Sequence, residues 1–427
     1  MKRFLVMALC AFFIASNMLA QAGSGVYVGG HIRRERPATV EKLKKSGFTY
    51  VILFNVNVEE DGTLTTDGET ICKDGQYVFA SEQPYYQEDV KALKTWPTAI
   101  ERIDICIGGW GNDSYKRIRS LVDAEGVGQK SILYRNFRAL KEAIPEIDGV
   151  NNDDESCYDV TSAVKFHTMM SVLGYKTSVA PYTNKPFWQG LVDGLNSARP
   201  EACDLVMIQC YDGGAYNNPS DWHFGNIPLH AGRTNYQTDM EASINQMEAW
   251  YHNDKVVGGF VWVYNDESWN LNQWAAAMNR IFIQHNVTEP AVTFYIESSF
   301  GGEPVSLPVG EYCTATLSSY GLSDKSIRSL QIHSGYKLTT WTSDGFTGSE
   351  KEWKDTEAES PRLGAWANRI SSLKIEKKSQ DTGIDLYPSS SDSYSSKVIY
   401  DLGGRRLSDN PILRKGVYIK NRKIIMK

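Results

Sequence analysis

Short apolar runs alternate with amphipathic segments from about residue 26 to residue 283. The apolar runs have the length of buried strands, whereas the segments between them repeat apolar positions at helical spacing and often end at Gly or Asn. Parallel strands that are each followed by a covering helix produce this alternation. Eight segments fit such strands: VYVGGHI, YVILFNVNV, IDICIGG, IDGVNND, KTSVAPY, DLVMIQCYD, IPLHAG and VGGFVWVYN. The pattern therefore predicts an α/β fold in which residues 23–288 form a closed (β/α)8 TIM barrel, with its functional site at the carboxyl ends of the strands.

The pattern changes after residue 288 to short β-type runs broken by Gly and Ser, and these runs repeat. The spacing aromatic-x4-Phe-x-Gly occurs twice, at Tyr295, Phe300 and Gly302 and again at Trp341, Phe346 and Gly348. The segment SIRSLQI likewise returns as RISSLKI. Two copies predict two similar Greek-key units that pack as a small β-sandwich over residues 289–377.

Both ends of the chain have compositions of their own. Residues 1–22 place two basic residues before an apolar run and end in Ala20-Gln21-Ala22, which predicts a secretory signal peptide and a secreted or cell-surface protein. Residues 378–395 are rich in Ser and predict a flexible linker. Residues 396–427 return to strand-like alternation around a Gly-Gly turn, and no later stretch has the length of a transmembrane span.

Composition narrows the class of partner. The net charge of −6 and the lack of basic runs argue against nucleic acid and favour a neutral or weakly charged ligand. The chain has 11 Trp and 23 Tyr, and such rings stack on sugar faces as readily as they pack in cores. The six cysteines after the signal have no CxxC pair, so we expect buried free thiols with one bridge at most and no structural zinc: Cys72, Cys106, Cys157, Cys203, Cys210 and Cys313.

The fourth predicted strand carries the strongest candidate chemistry. On an extended strand Asn151, Asp153 and Glu155 share one side, which would face the barrel mouth. Two carboxylates this close repel each other, so one should hold a proton near neutral pH. A glycosidase needs such a protonated acid, but an acidic turn or a site for a hard cation fits the same residues. The residues alone leave these alternatives open.

Three more strand ends of the predicted barrel carry short motifs. The third strand ends in Cys106-Ile107-Gly108-Gly109, the sixth ends in Met207 to Asp212, and the eighth holds Trp262 within GGFVWVYND. Together with Asp148 to Glu155, these stretches resemble glycoside hydrolase family 18. The family's hallmark is DGxDxDxE, from which Asn151 departs because Asp is usual there, and its third and sixth strands end in SxGG and in a tyrosine–aspartate pair. The resemblance thus covers the predicted barrel.

This resemblance implies a retaining, chitinase-like glycosidase that hydrolyses β-1,4-linked N-acetylglucosamine by substrate-assisted catalysis, without a metal or cofactor. Glu155 would be the general acid/base, Asp153 would hold the acetamido group of the sugar, and Tyr211 would donate a hydrogen bond to the acetamido oxygen. The implied substrate-binding residues are Asn151, Gln209, Asp212, Trp262 and Trp110. Asparagine cannot carry negative charge, so Asp153 is expected to stay ionised and the rate to be lower than in relatives with Asp.

Each assignment also has a structural alternative. Trp262 fits ordinary barrel core, and Tyr211 with Asp212 fits a simple strand end. The two glycines fit a close approach of two backbones. A sugar-binding lectin on the same barrel is the alternative from another functional class, although such proteins usually lack the acid that Glu155 supplies.

Two substrates remain open for the predicted enzyme. Only one helix fits between the seventh and eighth strands, which predicts a shallow, open cleft. Such a cleft suits chitin-type chains, and it also suits the N-glycan core that an endo-β-N-acetylglucosaminidase cleaves. The GGAYNNP loop after Asp212 favours chitin slightly, although Asn-Asn-Pro is also a plain turn signal.

The C-terminal regions resemble two further families. The repeats resemble the βγ-crystallin family, which implies a possible calcium site at Asp324 to Ser329 and Ala367 to Ser372, although each copy has lost a ligand position. A purely structural repeat and a module that adheres to a surface are the alternatives. YDLGGRRL and KGVYIKN resemble the sorting domain of type IX secretion substrates, which implies attachment to the cell surface.

Overall fold

The computed structural model describes residues 23–236, 239–265, 270–284, 287, 289–378, 399–400, 417–420 and 423–426. The predicted signal peptide and nearly all of the predicted Ser-rich linker lie outside these residues. The chain forms two compact units, Met1–Lys378 and Ser379–Lys427.

A closed barrel of eight parallel strands forms the first part of the larger unit. Its region contains the strands β1 (Gly23–Val28), β2 (Tyr50–Val58), β3 (Leu64–Thr66), β4 (Glu69–Lys73), β5 (Gln76–Tyr77), β6 (Arg102–Gly108), β7 (Gly149–Asp153), β8 (Lys176–Val179), β9 (Cys203–Gln209), β10 (Leu229–Thr234) and β11 (Val256–Tyr264). All of these except β3 to β5 pair in parallel, and β1 closes the barrel by pairing with both β2 and β11. The predicted closed barrel is confirmed, since each of the eight predicted strands corresponds to one of its strands.

Helices cover the outside of the barrel. They are α1 (His31–Arg34), α2 (Ala38–Ser46), α3 (Tyr86–Lys94), α4 (Ser114–Glu125), α5 (Ile132–Ala143), α6 (Val160–Val172), α7 (Lys185–Ala198), α8 (Met240–Asn253) and α9 (Leu271–Phe282). Several begin at a side chain that accepts a backbone N–H, such as Asp159 before α6 and Asp239 before α8. Gly47 ends α2 with φ of 91°, a conformation that glycine adopts without strain.

Large rings beside glycines fill the barrel interior. A Cβ atom on Gly25 would lie 1.9 Å from the Tyr50 ring, so this glycine makes room for the ring. The Tyr50 hydroxyl then donates to the Gly259 carbonyl at 3.0 Å and bonds to His230 Nδ1 at 2.8 Å. Strand β1 starts at Gly23, three residues before the predicted start. Its glycines suggest a turn in the sequence, but in the structure they lie within the strand and allow neighbouring side chains to pack closely.

The antiparallel extension β3 to β5 follows β2 and was absent from the predicted elements. Its two turns place Asp67-Gly68 and Asp74-Gly75 at positive φ, the geometry that Asp-Gly favours in tight hairpins. Leu64 of β3 is buried in the main core. The extension is also tied to the first strand–helix connection, because the buried Arg33 forms ion pairs with Asp67 and Glu69.

The second part of the larger unit is a pair of four-stranded antiparallel sheets. Its elements are β12 (Val292–Tyr295), β13 (Val305–Leu307), β14 (Gly310–Tyr312), α10 (Thr314–Ser319), β15 (Ser329–Ile332), β16 (Tyr336–Ser343), β17 (Thr347–Glu352), β18 (Glu359–Ser360) and β19 (Ser372–Lys377). The strand orders are β13-β12-β15-β18 and β14-β19-β16-β17. Each repeat therefore lends one strand, β14 or β18, to the sheet of the other repeat.

The sequence repeat has a structural counterpart at two matching corners. The Ser329 hydroxyl accepts the Phe300 N–H at 3.0 Å, and the Ser372 hydroxyl accepts the Phe346 N–H at the same distance. Both phenylalanines have positive φ, 61° and 56°. The repeated serines and phenylalanines thus stabilise equivalent turns, which explains why the spacing recurs.

This β-module packs on the barrel at the amino ends of its strands. A Cβ atom on Gly47, which precedes β2, would lie 3.2 Å from the backbone N of Ser319 in α10 of the module. Trp96, which precedes β6, stacks on Phe346 with ring centroids 4.9 Å apart. Ile283, just after α9, belongs to the core of the module. The module therefore lies at the end of the barrel opposite the carboxyl ends of the strands.

We expect Ile283→Ala to lower the free energy of unfolding by about 2–4 kcal/mol, because it removes buried methyl groups where barrel and module share a core. A urea titration followed by Trp fluorescence and by far-UV circular dichroism measures this change. Val172→Ala, at an exposed position at the end of α6, is the control and should shift stability by less than about 0.5 kcal/mol. A loss for Ile283→Ala no larger than that of the control would contradict a shared core.

The smaller unit contains a three-stranded antiparallel sheet. Its strands are β20 (Ile399–Tyr400), β21 (Val417–Lys420) and β22 (Lys423–Met426), with β21 in the centre. These strands lie in the predicted C-terminal β segment. Across the described ranges, no helix combines the length and apolar character that crossing a membrane requires. The six cysteines named above are all free.

Candidate active site

Strand β7 divides its side chains between the helical layer and the barrel interior. Asn152 points to the helices, where its amide bonds to His167 Nε2 at 2.9 Å. Burial lowers the pKa of His167 to about 3, so this histidine is neutral. Asn151 and Asp153 occupy the other side of the strand, as the alternation predicts.

Asp154 fixes the loop that carries Glu155. Its carboxylate accepts the N–H groups of Ser156, Cys157 and Tyr158 at 3.0, 2.8 and 2.8 Å. Three such bonds hold the turn after Glu155 and place Tyr158 at φ of 51°. Asp154 is therefore a structural residue, and Glu155, just past the end of β7, is the one left facing the mouth.

Asp153 is a buried carboxyl with one strong donor. It is 6% exposed, and Gln209 Nε2 donates to its Oδ1 at 2.8 Å while also donating to the Ala180 carbonyl at 2.8 Å. Burial raises the pKa of Asp153 well above its ordinary value, the charge of Glu155 raises it further, and the Gln209 bond partly opposes both. Gln209, predicted to bind substrate, thus contacts Asp153 directly.

Glu155 is half-buried and also favours its protonated form. Burial raises the pKa of Glu155, and the charges of Asp154 and Asp212 raise it further. A hydrogen bond from the Tyr182 hydroxyl lowers the same pKa. The expectation that one of two neighbouring carboxyls holds a proton agrees with these directions, since both pKa values are raised.

Asn151 lies one layer below this pair. It is 0% exposed, accepts the Tyr27 hydroxyl at 2.8 Å and donates to Ser178 Oγ at 2.9 Å. Ser178 in turn donates to Asp104 at 2.7 Å. Asn151 is therefore bonded within the barrel interior, and its predicted contact with substrate stays a prediction. The expectation that Asp153 stays ionised remains a prediction, and burial, which raises the pKa of Asp153, works against it.

Gly108 and Gly109 allow β6 to approach β7 closely. Gly108 has φ of 108°, and a Cβ atom there would lie 2.1 Å from the Asp153 carbonyl oxygen. The Gly109 N–H donates to that same oxygen at 2.7 Å. The close-approach interpretation of the two glycines is therefore correct, and it bears on the site because the backbone they contact belongs to Asp153.

Tyr211 and Trp262 line the interior beside the carboxyl pair. Tyr211 is buried and packs on Phe260 with ring centroids 6.1 Å apart. Its hydroxyl has no hydrogen-bond partner among the described residues. Trp262 is half-buried and meets the rings of Phe54 and Tyr27 edge-on, at 4.7 and 5.2 Å. The ring of Trp262 thus borders the barrel core and keeps part of its surface open.

The remaining predicted residues lie at the rim. Asp212 is exposed, and its carboxylate accepts the Tyr236 hydroxyl at 2.8 Å. Trp110, on the loop after β6, is 92% exposed. Two further aromatic residues were not among the predicted site residues: Tyr216, which is fully exposed after β9, and Tyr182, which contacts Glu155. Tyr182 ends the fifth predicted strand and Tyr216 follows the sixth, so a search for aromatic residues at or just past each strand end would have found them.

The described part of the chain contains no cluster of three or more His, Cys, Asp or Glu side chains able to hold a metal ion. The two segments that the repeats imply for calcium meet through a hydrogen bond, because Arg328 Nε donates to Asn368 Oδ1 at 3.2 Å. Calcium binding there stays a prediction. Two repeats, matching corners and exchanged strands define the class of the module as βγ-crystallin-like.

The comparisons with known proteins support this class. The chain carries a βγ-crystallin-like module over about a fifth of its length. It is 31% identical over 84 residues to development-specific protein S of Myxococcus xanthus, and 31% identical over 87 residues to the protein S homolog of the same organism. These matches cover 20% of this chain and 47% and 48% of the two relatives, so the chain spans about half their length. The predicted module is confirmed.

Solved structures of single domains also match about a fifth of the chain. The N-terminal domain of protein S is 30% identical with a TM-score of 0.19, and the match covers 20% of this chain and 94% of that one. A βγ-crystallin domain from Clostridium beijerinckii is 30% identical with a TM-score of 0.19, and the match covers 21% and 99%. One from Flavobacterium johnsoniae is 26% identical with a TM-score of 0.20, covering 21% and 97%. No protein-family profile matches the chain.

Proposed function

We propose that the barrel is a retaining glycoside hydrolase of the chitinase type, which cleaves β-1,4-linked N-acetylglucosamine. The observation that carries the proposal is the carboxyl pair at the carboxyl end of β7. Asp153 and Glu155 face the barrel interior and mouth. Burial raises the pKa of both, the charge of Glu155 raises that of Asp153 further, and the charges of Asp154 and Asp212 raise that of Glu155 further. A glycosidase requires a carboxyl that is still protonated at the pH of the reaction.

The first step breaks the glycosidic bond. The acetamido oxygen of the bound sugar attacks its own anomeric carbon while Glu155 gives its proton to the departing oxygen. Asp153 accepts a hydrogen bond from the acetamido N–H and stabilises the positive oxazolinium ion that forms. Tyr211 lies beside Asp153, and its unpartnered hydroxyl is free to donate to the acetamido oxygen.

The second step restores the sugar. Glu155, now ionised, removes a proton from a water molecule that adds to the anomeric carbon and opens the oxazolinium ring, so the configuration is retained. Trp262 offers the partly open ring on which the reacting sugar stacks. Asn151 bonds to Tyr27 and Ser178. The pKa of Asp153 is therefore set by its burial, by the charge of Glu155 and by its hydrogen bond from Gln209, and not by Asn151.

An open cleft with exposed rings supports a polymeric substrate. Between β10 and β11 the described residues contain one helix, α8, and no added domain. Trp110 and Tyr216 stand on the loops after β6 and β9, so each offers a ring to sugars beyond the reacting one. Chitin-type chains are the substrate we favour, and the core of an N-glycan is the competing one.

We expect Trp110→Ala to raise the KM for a chitin oligomer by about 3–10-fold with little change in kcat, because one stacking contact is lost away from the reacting bond. Initial rates on oligomers labelled at the reducing end measure this. Val309→Ala, an exposed residue of the β-module, is the control and should leave KM unchanged. An unchanged KM for Trp110→Ala would show that this residue does not contact the substrate.

Product analysis tests the proposed function as a whole. The full chain is incubated with chitin oligomers and, in parallel, with a high-mannose glycoprotein, and the products are separated by mass. Release of chito-oligosaccharides supports the proposal. Release of the intact glycan from the glycoprotein would show that the enzyme cleaves N-glycan cores instead. Binding of chitin oligomers without any product would contradict an enzyme and indicate a lectin.

We also propose that the protein is exported and held at the cell surface, on the basis of the charged and apolar order of residues 1–22 and the YDLGGRRL and KGVYIKN segments. The β-module would then contribute adhesion to a surface or matrix. Fractionation of cells with an antibody to the barrel tests the location, and a cytoplasmic pool alone would contradict it.

A further inference from the structure

Glu155 lies beyond the part of β7 that strand pairing fixes. The last paired residue of β7 is Asp153, which lies beside Gly108 of β6. Glu155 follows two residues later, in a segment over residues 153–158 that we call the Glu155 loop. Contacts other than the strand pairing of the barrel must therefore hold the carboxyl that the proposed reaction needs.

Asp154 holds this loop from within. It is 1% exposed, and its carboxylate accepts the N–H groups of residues 156–158, which follow Glu155. Its own N–H donates to Asn152 Oδ1 at 2.9 Å, and the Asn152 amide bonds to His167 of α6 at 2.9 Å. The loop is thus closed around Glu155 and anchored to the helical layer.

The Trp110 turn, residues 109–112, is bonded to the Glu155 loop at two places. The Gly109 N–H donates to the Asp153 carbonyl at 2.7 Å, on the amino side of the proposed acid. The Ser156 hydroxyl donates to the Asn112 carbonyl at 3.0 Å, on its carboxyl side. The Asn112 N–H donates to the Gly109 carbonyl at 3.1 Å and closes the turn. Bonds on both sides of the acid therefore join the loop and the turn into one frame.

Asn112 also ties the Trp110 turn to the rest of the barrel. Its Oδ1 accepts the Ser114 N–H at 2.8 Å, where α4 begins, and its Nδ2 donates to Asn57 of β2. Gly111 has φ of 73°, which glycine adopts without strain and which lets the chain turn here. The exposed ring of Trp110 thus stands on a turn that β2, α4 and the Glu155 loop hold in place.

We propose that Asp154 and Ser156 are positioning residues, which hold the Glu155 carboxyl at a fixed distance from a sugar stacked on Trp110 by joining the Glu155 loop to the Trp110 turn. This inference rests on the proposed function, in which Glu155 gives its proton to the departing oxygen. Proton transfer requires the acid within hydrogen-bonding reach of that oxygen. A displacement of about 1 Å can lower a rate by about 100-fold, so the frame that fixes the loop bears directly on catalysis.

Ser156→Ala should lower kcat on chitin oligomers by about 3–10-fold, because one hydrogen bond between the loop and the turn is lost. KM should change less than kcat, since the ring of Trp262 is untouched. Ser156→Thr keeps a hydroxyl and should retain the wild-type kcat. Ser360→Ala is the matched control, because the Ser360 hydroxyl donates to the Glu357 carbonyl of the β-module at 2.7 Å, and it should leave both constants unchanged.

Asp154→Asn should lower kcat by about 10–100-fold, because the amide turns one of its own N–H groups toward an N–H that the carboxylate accepts. The charge of Asp154 also raises the pKa of Glu155, so kcat is compared at the optimum pH of each protein. Asp344→Asn is the control, since the Asp344 carboxylate likewise accepts a backbone N–H, that of Thr314 at 2.8 Å, but in the β-module. This control should keep the wild-type kcat.

Hydrogen-exchange mass spectrometry of the full chain tests the frame without requiring turnover. Peptides covering residues 109–116 and 154–160 should both exchange faster in Ser156→Ala, and both should exchange at the wild-type rate in Ser156→Thr and Ser360→Ala. Faster exchange confined to residues 154–160 would contradict a frame that joins the two segments.

The kinetic and exchange results together separate the two proposals. An unchanged kcat in folded, active Ser156→Ala and Asp154→Asn would overturn the inference, and so would an equal loss in Ser156→Ala and Ser156→Thr. If Asp154→Asn does not fold, the two Ser156 variants decide. Faster exchange of both segments in a protein whose wild type cleaves no N-acetylglucosamine glycoside would uphold the frame and reject the proposed function instead.

Discussion

Glu155→Gln should lower kcat on a chromogenic chitobioside by about 10²–10⁴-fold. The amide has the same shape as the carboxyl and keeps the neighbouring contacts, but it has no acidic proton for the leaving oxygen. Initial rates of wild type and variant across the pH range of activity measure the effect. Glu289→Gln, at an exposed position of the β-module, is the matched control and should retain full rate.

The same variant also separates an enzyme from a lectin. Glu155→Gln should bind chitin oligomers as well as wild type does, because the stacking ring of Trp262 and the hydroxyl of Tyr211 are untouched. Isothermal titration with an oligomer measures the affinity. Equal rates in wild type and Glu155→Gln would show that Glu155 is not the general acid, whatever the affinity for the oligomer.

Gly108→Ala should lower the free energy of unfolding by about 3 kcal/mol or more. The new methyl would lie 2.1 Å from the backbone oxygen of Asp153, and the residue would have to keep a φ of 108° that alanine rarely adopts. Urea unfolding monitored by circular dichroism measures the loss. Gly128→Ala is the matched control, since nothing lies within 4 Å of the position its new methyl would take and its φ is not positive.

This second prediction does not depend on the proposed reaction. It rests only on the contact between the end of β6 and the end of β7, which also carries the Gly109 bond to Asp153. A stability loss no greater than that of Gly128→Ala would show that the two strand ends can separate without cost. In that case the position of Asp153 would need another source of rigidity.

The barrel was predictable because buried parallel strands leave a simple apolar signal. Strand β7 and the side on which Asp153 lies followed from alternation alone. The start of β1 did not, since Gly25 is present to admit the Tyr50 ring from a strand 25 residues away. The extension β3 to β5 was also missed, although its two Asp-Gly turns are strong hairpin signals, because its strands are short and mostly polar.

The site was predictable only as far as residues share a strand or a family resemblance. Asp153 and Glu155 are two positions apart in sequence, so the effect of Glu155 on the pKa of Asp153 could be anticipated. Tyr182 meets Glu155 across a gap in sequence that no periodicity spans, and its ring position depends on Gly213 in a third segment. The burial of Asn151 was equally hidden, because alternation gives the side of a strand but not the depth within the barrel.

Because β14 and β18 are exchanged between the two sheets, the module cannot be cut into two independent halves. A protease cut between β15 and β16 would separate the repeats in sequence, yet each fragment would keep one strand inside the sheet of the other. Neither half is a complete folding unit, so the nicked halves should remain associated until the whole module denatures. The duplication visible in the sequence is therefore a duplication of segments rather than of independently stable domains.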